Sequence, residues 1–435
     1  MAESLNSGPE VWVVEGLRSP FVKAGGPIKD MKAVQLGVHV LRDLLYKLNL
    51  DPKKIDEVVI GNTGNPEDAA NISRVIALEA GIPQNVPAYT VHRNCASAME
   101  SISQGFIKIK AGLADTVVVG GTESMSNMPL LYSKQMTDLF SRLMTAKTLP
   151  QKLGVLSKFR PQHLKPIIAI QEGLTDAVCG LNMGQTAELL AKENGITRQD
   201  QDRFALRSHE KAVKAVESGR FKKEISPIPV PPRYETFLTE DVGPRQGQTL
   251  EALAKLKPYF DRKNGTVTVG NACPITDGSC FLILMRADKA KAEGYKPLGK
   301  IRSFAFAGLE PERMGLGPAY STPKALDAAG LSMKDIGIVE LNEAFAAQVI
   351  AVQKMFASQK FAQEKLGRSQ ATGEIRDEIL NVNGGAIALG HPVGATGARL
   401  VLTALKEMQE KSIQFGLATL CIGGGQGGSV VVERV

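Results

Sequence analysis

The sequence lacks a hydrophobic run long enough to cross a membrane. No window of 18 or more apolar residues occurs in the 435-residue chain, whereas a membrane-spanning helix needs about 20 such residues. The first ten residues carry two acidic side chains and no basic one, unlike a signal or transit peptide. We therefore expect a cytoplasmic protein with no membrane contact, although a processed organellar form would look the same.

Cysteine is scarce and odd in number. The five cysteines are Cys95, Cys179, Cys273, Cys280 and Cys421. An odd count without a secretory signal argues against a disulfide framework, and no pair has the spacing of a zinc site, so we predict no metal. A buried cysteine is by default a small apolar side chain. Only its surroundings can mark one of the five as functional.

The charge balance shows only a small excess of one sign. There are 52 basic and 45 acidic side chains, which gives a net charge of +7. A solvated surface accounts for this excess, and attraction to a small phosphate-rich ligand is the sharper alternative. No aromatic-plus-basic motif occurs, so we expect no nucleic-acid partner.

Strand-like and helical patterns alternate along the chain, whose length predicts two or three domains. Short β-branched runs predict strands at Val11–Val14, Glu57–Ile60, Thr116–Val119, Val339–Leu341, Gly416–Cys421 and Ser429–Glu433. Amphipathic patterns predict helices at Val34–Leu48, Ala96–Lys110, Arg198–Glu217 and Ala395–Glu410. This alternation is typical of an α/β architecture.

A short internal repeat indicates two similar halves. The segment Leu50–Ile60 resembles Leu331–Leu341 at a constant offset of 281 residues. Between them, residues 125–265 are rich in Met, Lys, Pro and Gln, with a basic, irregular stretch at Ser141–Pro166 and a proline-rich surface loop at Pro227–Pro244. We interpret this region as an inserted, largely helical lobe that covers a site.

Cys95 lies where a strand-like stretch meets an amphipathic helix. The N-terminal end of a helix favours a thiolate, so we expect the pKa of this thiol to be lowered. A packed cysteine at a strand–helix joint is the alternative interpretation.

Two glycine-rich segments carry further candidates. His391 lies in the run Asn383–Gly397, where backbone can approach a ligand closely and an imidazole can act as a base. Cys421 precedes a glycine cluster whose N–H groups could form an oxyanion hole; a phosphate loop is the rival, but its Lys-Ser/Thr ending is missing. Asn342 follows a strand and is predicted to lie near a helix cap.

Taken together, these segments resemble the thiolase family along almost the whole chain. The matching motifs are Asn94-Cys-Ala-Ser97, Gly120-Gly-Thr-Glu-Ser-Met125, Asn182-Met-Gly-Gln-Thr-Ala-Glu188, Phe260-Asp261 with Gly265-Thr-Val-Thr268, Asn342-Glu-Ala-Phe-Ala346, Gly390-His-Pro392 and Cys421-Ile-Gly-Gly-Gly-Gln-Gly427. The resemblance implies two similar βαβαβαββ halves in a five-layer αβαβα core with an inserted loop domain. The implied boundaries are 1–124 with 273–299 for the first half, 125–272 for the insert over the CoA site, and 300–435 for the second half.

The resemblance also implies ping-pong acyl transfer. His391 would deprotonate Cys95, which attacks a 3-oxoacyl-CoA, and Cys421 would protonate the departing acetyl-CoA enolate. Asn342 and Gly423 would contribute to two oxyanion holes. Coenzyme A is then a co-substrate, with no permanently bound cofactor.

Three positions bear on the subclass. Cys273 stands where the family usually has a serine near CoA, Met183 follows Asn182 where short-chain biosynthetic enzymes have histidine, and Asn342 stands where the multienzyme β-oxidation subgroup often has histidine. We favour a degradative 3-ketoacyl-CoA thiolase. The alternatives are acetoacetyl-CoA synthesis from two acetyl-CoA and, more distantly, a non-catalytic lipid- or CoA-binding protein. A homodimer or homotetramer is expected, and a hydratase–dehydrogenase subunit is a candidate partner.

Overall fold

Strands from both ends of the chain join into one large mixed sheet. The computed structural model describes residues 8–435. The strands are β1 Val11–Arg18, β2 Val22–Lys23, β3 Glu57–Gly61, β4 Ala88–Val91, β5 Thr116–Ser124, β6 Leu130–Leu131, β7 Ile167–Ile168, β8 Ile228–Pro229, β9 Phe237–Leu238, β10 Thr276–Arg286, β11 Gly299–Gly308, β12 Ile338–Leu341, β13 Phe415–Ile422 and β14 Gln426–Glu433. Within this part of the chain the main sheet has ten strands, in the order β12-β13-β14-β11-β1-β10-β5-β3-β4 with β2 paired to β10.

Helices cover both faces of this sheet. They are α1 Ala33–Leu48, α2 Ile72–Glu79, α3 Ser97–Lys110, α4 Lys134–Thr145, α5 Leu149–Leu156, α6 Ala169–Gly173, α7 Met183–Glu193, α8 Arg198–Glu217, α9 Leu250–Ala254, α10 Ala287–Ala292, α11 Gly317–Ala329, α12 Ala346–Ala357, α13 Gln359–Leu366, α14 Ala386–Leu389 and α15 Thr396–Lys411. The predicted α/β class is therefore confirmed.

Two similar halves meet at the centre of the sheet. The first runs β1-α1-β3-α2-β4-α3-β5-β10 and the second runs β11-α11-β12-α12-α15-β13-β14, joined by antiparallel pairing of β1 with β11. The internal repeat falls on equivalent strands, because β3 and β12 each pair in parallel with a central neighbour, β5 or β13. In the second half, the strand equivalent to β4 is reduced to a single parallel β-bridge between Val339 and Leu380.

The core is divided into layers by the two half-sheets. Helices α3 and α15 pack between them and bury side chains such as Ile102, Phe106, Leu402 and Leu405 in a shared middle cluster. Separate clusters lie under α1 and α2 on one outer face and under α11 and α12 on the other. This arrangement gives the five layers, and it places the N-terminal ends of α3 and α15 in the same layer.

The longest interruption of the sheet lies between two paired strands. β5 and β10 are antiparallel neighbours, and residues 125–275 between them form helices α4 to α9 and two small two-stranded sheets, β6 with β7 and β8 with β9. The prediction of an irregular Ser141–Pro166 is wrong, since α4 ends and α5 lies within it, although most side chains there are exposed. The predicted surface loop Pro227–Pro244 is only partly exposed, because Asp241 is buried against Arg18.

Among residues 8–435, no helix is long and apolar enough to cross a membrane.

Candidate active site

Cys95 lies at a sharp joint between β4 and α3. Asn94 has a left-handed backbone with φ of 44°, which asparagine tolerates better than most residues. The Ser97 hydroxyl donates to the Asn94 carbonyl at 2.7 Å and accepts the Arg93 N–H at 2.9 Å. Helix α3 begins two residues after Cys95, so the predicted strand–helix position is confirmed, and the joint holds the thiol in a fixed place.

Burial dominates the electrostatics of the Cys95 thiol. It raises the pKa of Cys95, and the nearby Glu123 carboxylate raises it further, while the backbone N–H groups of Gly423 and of Cys95 itself lower it. The predicted lowering of this pKa is therefore wrong for the protein without substrate, because the cost of burying a thiolate exceeds the benefit of the helix end.

His391 is held in a tight loop between two threonines. Its backbone N–H donates to Thr276 Oγ1 at 3.1 Å. The preceding Gly390 has φ of 108°, and a Cβ there would lie 2.5 Å from the same oxygen. Only glycine fits this position, which explains the glycine next to the histidine in the sequence.

The protonation of the His391 ring follows from its partner, Thr396. The Thr396 hydroxyl donates its one hydrogen to the Pro392 carbonyl at 2.9 Å, so it accepts from His391 Nδ1 at 2.6 Å. Nδ1 therefore carries the proton, and Nε2 presents a lone pair. Burial, together with the charge of Arg399, lowers the pKa of His391 to about 3, so the ring is a neutral base.

Asn342 faces that lone pair. Its Nδ2 lies 3.5 Å from His391 Nε2, and its backbone N–H donates to the Thr419 carbonyl at 3.0 Å. Asn342 is fully buried, and its Oδ1 has no partner among the described residues. The predicted cap role is wrong, because α12 begins only at Ala346 with Phe345 in the cap position.

Cys421 and Gly423 lie at the turn between β13 and β14. The Asn94 side chain donates to the Gly423 carbonyl at 2.8 Å, which ties this turn to the Cys95 joint. Gly424 and Gly425 have positive φ angles of 87° and 75°, as a tight glycine turn requires. Burial raises the pKa of the Cys421 thiol well above its ordinary value, so this thiol holds its proton.

Met183 and Cys273 lie at the edge of the same site. Met183 is the first residue of α7, and its Sδ would lie 3.2 Å from a Cβ placed on Gly423. The backbone N–H of Cys273 donates to the Ala344 carbonyl at 3.0 Å. Burial, with a smaller contribution from the nearby Cys95, raises the pKa of Cys273 to about 12, so this thiol is neutral.

Glu123 connects the two halves at this site, and its individual role was missed in the sequence. It accepts from the backbone N–H groups of Thr63, Gly64 and Gly394, each at 3.0 Å, and from Asn62 Nδ2 at 3.0 Å. One buried carboxylate thus joins a loop of the first half to the His391 loop. Its place in the motif Gly120–Met125 was the only available signal.

The predicted residues lie in two groups, and two other cysteines lie apart. Asn342 contacts His391, and the backbone N–H of Gly423, two residues after Cys421, contacts Cys95. Cys273 connects the groups, because its backbone N–H bonds to Ala344 and its thiol lies close to that of Cys95. Cys280 is buried within β10, and Cys179 lies in the insert. Within residues 8–435, no group of three or more metal-ligating side chains is arranged to hold a metal ion. The arrangement offers a nucleophile, a neutral base, a protonated thiol and amide donors.

Both halves match known protein families. The family described as "Thiolase, N-terminal domain" matches residues 11–288, and "Thiolase, C-terminal domain" matches residues 295–434. A 3-ketoacyl-CoA thiolase of Pseudoalteromonas translucida is 43% identical over 427 residues, which cover 98% of this chain and 97% of that protein. A protein of the same name from Photobacterium profundum is 42% identical with the same coverage.

Solved structures agree with these sequence matches. An acetyl-CoA acetyltransferase of Bacillus anthracis has a TM-score of 0.86 and 36% identity, covering 99% of this chain and 100% of that one. Human mitochondrial 3-ketoacyl-CoA thiolase in complex with CoA has a TM-score of 0.84 and 33% identity, covering 98% of each chain. Because the matches extend over both halves and the predicted site residues converge at their junction, this chain belongs to the thiolase family.

Proposed function

We propose that the chain cleaves 3-oxoacyl-CoA with CoA, giving acetyl-CoA and a shortened acyl-CoA through an acyl-Cys95 intermediate. The supporting observation is the neutral His391, whose free Nε2 lies beside Asn342 in the site that also contains the two thiols. Curated relatives at 41–43% identity bear the name 3-ketoacyl-CoA thiolase. The proposed setting is fatty-acid β-oxidation.

The first step is acylation of Cys95. His391 Nε2 takes the thiol proton, and the sulfur attacks C3 of the 3-oxoacyl group. The negative charge that forms on the C3 oxygen is met by the backbone N–H groups of Cys95 and Gly423. One such donor typically lowers the barrier by about 3 to 4 kcal/mol. The raised pKa of Cys95 means that thiolate forms only together with the imidazolium.

The second step breaks the C2–C3 bond. The electron pair of that bond passes into the acetyl-CoA unit as an enolate, whose oxygen lies between Asn342 Nδ2 and the newly protonated His391. The Cys421 thiol gives its proton to C2, a role that suits a thiol better than a hydroxyl because its pKa is lower. Acetyl-CoA then departs and leaves an acyl thioester on Cys95.

The third step transfers the acyl group to a second CoA. The thiol of CoA gives its proton to the Cys421 thiolate and attacks the thioester, and His391 returns its proton to Cys95. All three side chains thereby regain their starting states. Coenzyme A acts as a co-substrate, and no permanently bound cofactor takes part in this scheme.

The inserted segment supplies the proposed CoA cover. We assign residues 125–272 to an inserted loop domain, 1–124 with 273–299 to the first core half and 300–435 to the second. Met183 at the start of α7 and Cys273, directly after the insert, both reach the site, which supports a lid over the pantetheine. A homodimer or homotetramer, a hydratase–dehydrogenase partner and a cytoplasmic location stay predictions.

A second candidate function is the reverse condensation of two acetyl-CoA into acetoacetyl-CoA. The structural match to a bacterial acetyl-CoA acetyltransferase, with a TM-score of 0.86, supports this second candidate. The same residues would serve both directions of the reaction. A thiolysis series from acetoacetyl-CoA to long-chain 3-oxoacyl-CoA separates the two. Similar or higher kcat/KM on the long substrates supports the degradative assignment, whereas activity confined to acetoacetyl-CoA contradicts it. The Cys95→Ala variant, which lacks the proposed nucleophile, is the negative control for both reactions.

A further inference from the structure

A fully buried ion pair lies behind the Asn342–His391 contact. We propose that Arg399 and Glu340 are positioning residues, which hold Asn342 against His391 and so support carbon–carbon bond cleavage. This inference rests on the function proposed above. Arg399 Nη1 donates to Glu340 Oε2 at 2.5 Å, and both side chains are 0% exposed.

One face of one strand carries both Glu340 and Asn342. Side chains alternate along a strand, so residues two apart point the same way. Ile338, Glu340 and Asn342 therefore face the middle layer, and Ile338 packs in its cluster, while Val339 and Leu341 pack in the opposite cluster. A shift of Glu340 along or away from this layer moves Asn342 with it.

One face of one helix carries the matching pair. Thr396 and Arg399 are three residues apart at the start of α15, so their side chains are neighbours on its surface. Thr396 accepts from His391 Nδ1 at 2.6 Å. The strand thus meets the helix where Glu340 binds Arg399. Just beyond the strand, Asn342 contacts His391, which the helix holds through Thr396, so the ion pair fixes the spacing of that contact.

Burial of this ion pair destabilises the folded state, so packing alone does not explain its presence. Glu340 Oε1 and Arg399 Nε and Nη2 are buried with no partner among the described residues, and a buried polar atom without a partner destabilises the folded state. Burial raises the pKa of Glu340 to about 7 even beside Arg399. Two apolar residues of similar volume would often be at least as stable, so the pair is better explained by its place in the site.

Cys95 is positioned by other contacts. Its joint is held by Ser97 and by the Asn94 bond to Gly423, neither of which involves Arg399 or Glu340. His391, which acylation also needs, is held by Thr276 and Thr396. Loss of the ion pair should therefore displace Asn342, which faces only the enolate, more than it displaces the groups that acylation needs. This difference separates a positioning role from general support of the fold.

Two rates test the proposal. Both are measured on each variant at a pH well above the pKa of Glu340. The first is exchange of acetyl-CoA with isotopically labelled CoA, which needs acylation only. The second is thiolysis of acetoacetyl-CoA, which needs bond cleavage. For Arg399→Met we expect the ratio of thiolysis to exchange to fall by about 100-fold, the typical effect of a 1 Å misplacement. Because Arg399 uses one donor, Arg399→Lys should recover much of this ratio.

Arg220→Met is the matched control, since Arg220 is also buried and paired with a carboxylate, Glu407, and bonds to the same helix at the Thr403 carbonyl, whereas its described hydrogen bonds include neither Asn342 nor His391. Its ratio should stay at the wild-type value. An equal loss of both rates in Arg399→Met, or an unchanged ratio, overturns the proposal. If Arg399→Met does not fold, Glu340→Gln and Arg399→Lys decide by the same ratio. Absence of exchange in the wild type would instead refute the proposed function.

Discussion

The Thr396 hydroxyl lies 2.6 Å from Nδ1 of His391 and donates its own proton to the Pro392 carbonyl. These two bonds leave Nε2 as the unprotonated ring nitrogen of His391. A residue five positions along the chain thus decides which nitrogen acts as the base. The consequences can be tested at Thr396 without touching the thiols.

Replacing Thr396 with valine should slow acylation of Cys95. The buried Nδ1–H then lacks an acceptor, at a cost of about 1–3 kcal/mol, and the imidazole no longer has one preferred tautomer. We expect a loss of about 10- to 100-fold in the acylation rate. This rate is measured by rapid mixing with acetyl-CoA, quenching and mass spectrometry. Thr396→Ser keeps the hydroxyl and should stay near wild type; equal losses in both variants would contradict the assignment.

Replacing Cys421 with alanine should separate acylation from bond cleavage. Cys421 is buried beside the site and holds its proton, so its loss removes the proton donor to C2 but leaves Cys95, His391 and Gly423 in place. We expect acetyl-Cys95 to form, while thiolysis of acetoacetyl-CoA falls by at least about 100-fold. Cys179→Ala, outside the site, is the control. Thiolysis at the wild-type rate in Cys421→Ala would refute the acid role.

The buried neutral His391 should make the fold less stable in acid. Its pKa is lowered to about 3, against about 6.5 in an unfolded chain. Between these values the unfolded chain binds a proton that the folded protein does not, so the free energy of unfolding decreases as pH falls from about 6.5 towards 3, by up to about 1.4 kcal/mol per pH unit. For His391→Gln, urea unfolding should show a smaller decrease in the free energy of unfolding over the same pH range.

A wild-type slope of unfolding free energy against pH in His391→Gln would mean that the imidazole binds a proton in the folded protein, contrary to the proposed neutral base.

Two glycines of the same turn should respond differently to alanine. A Cβ at Gly423 would lie 3.2 Å from the flexible end of Met183, whereas a Cβ at Gly427 would lie 2.0 Å from the backbone oxygen of Gly317. We expect Gly427→Ala to lower the free energy of unfolding by at least about 1–3 kcal/mol and Gly423→Ala to lower it by much less. Chemical unfolding of both variants provides the check, and equal effects would contradict it.

Local sequence patterns predicted many of the strands and helices. All six expected strands occur, and Arg198–Glu217 is a helix over the predicted residues. Strand β10 was not predicted, because it is buried on both faces and begins with Thr276-Asp-Gly-Ser279, so it shows no alternation of polar and apolar residues. Helix α11 was missed because Pro323 lies inside it, where a proline usually ends a helix.

Sequence motifs supplied the candidate site residues but not the electrostatics around them. Motifs indicated Cys95, His391, Cys421, Asn342 and Gly423, and the structure places them in two neighbouring groups. The sign of the Cys95 pKa shift could not be predicted, since burial depends on the whole fold rather than on the helix end. The link between Arg399 and Glu340 joins residues 59 apart, and no local pattern reports such a pair.

The central claim is that Cys95 carries the acyl group, and the most direct test is its acylation by acetyl-CoA alone. Intact-mass and peptide mass spectrometry of the mixed protein should show one acetyl group per chain, on Cys95, and none in Cys95→Ala. Acetyl on Cys273 or Cys421 instead, or no adduct on folded protein, would contradict the account.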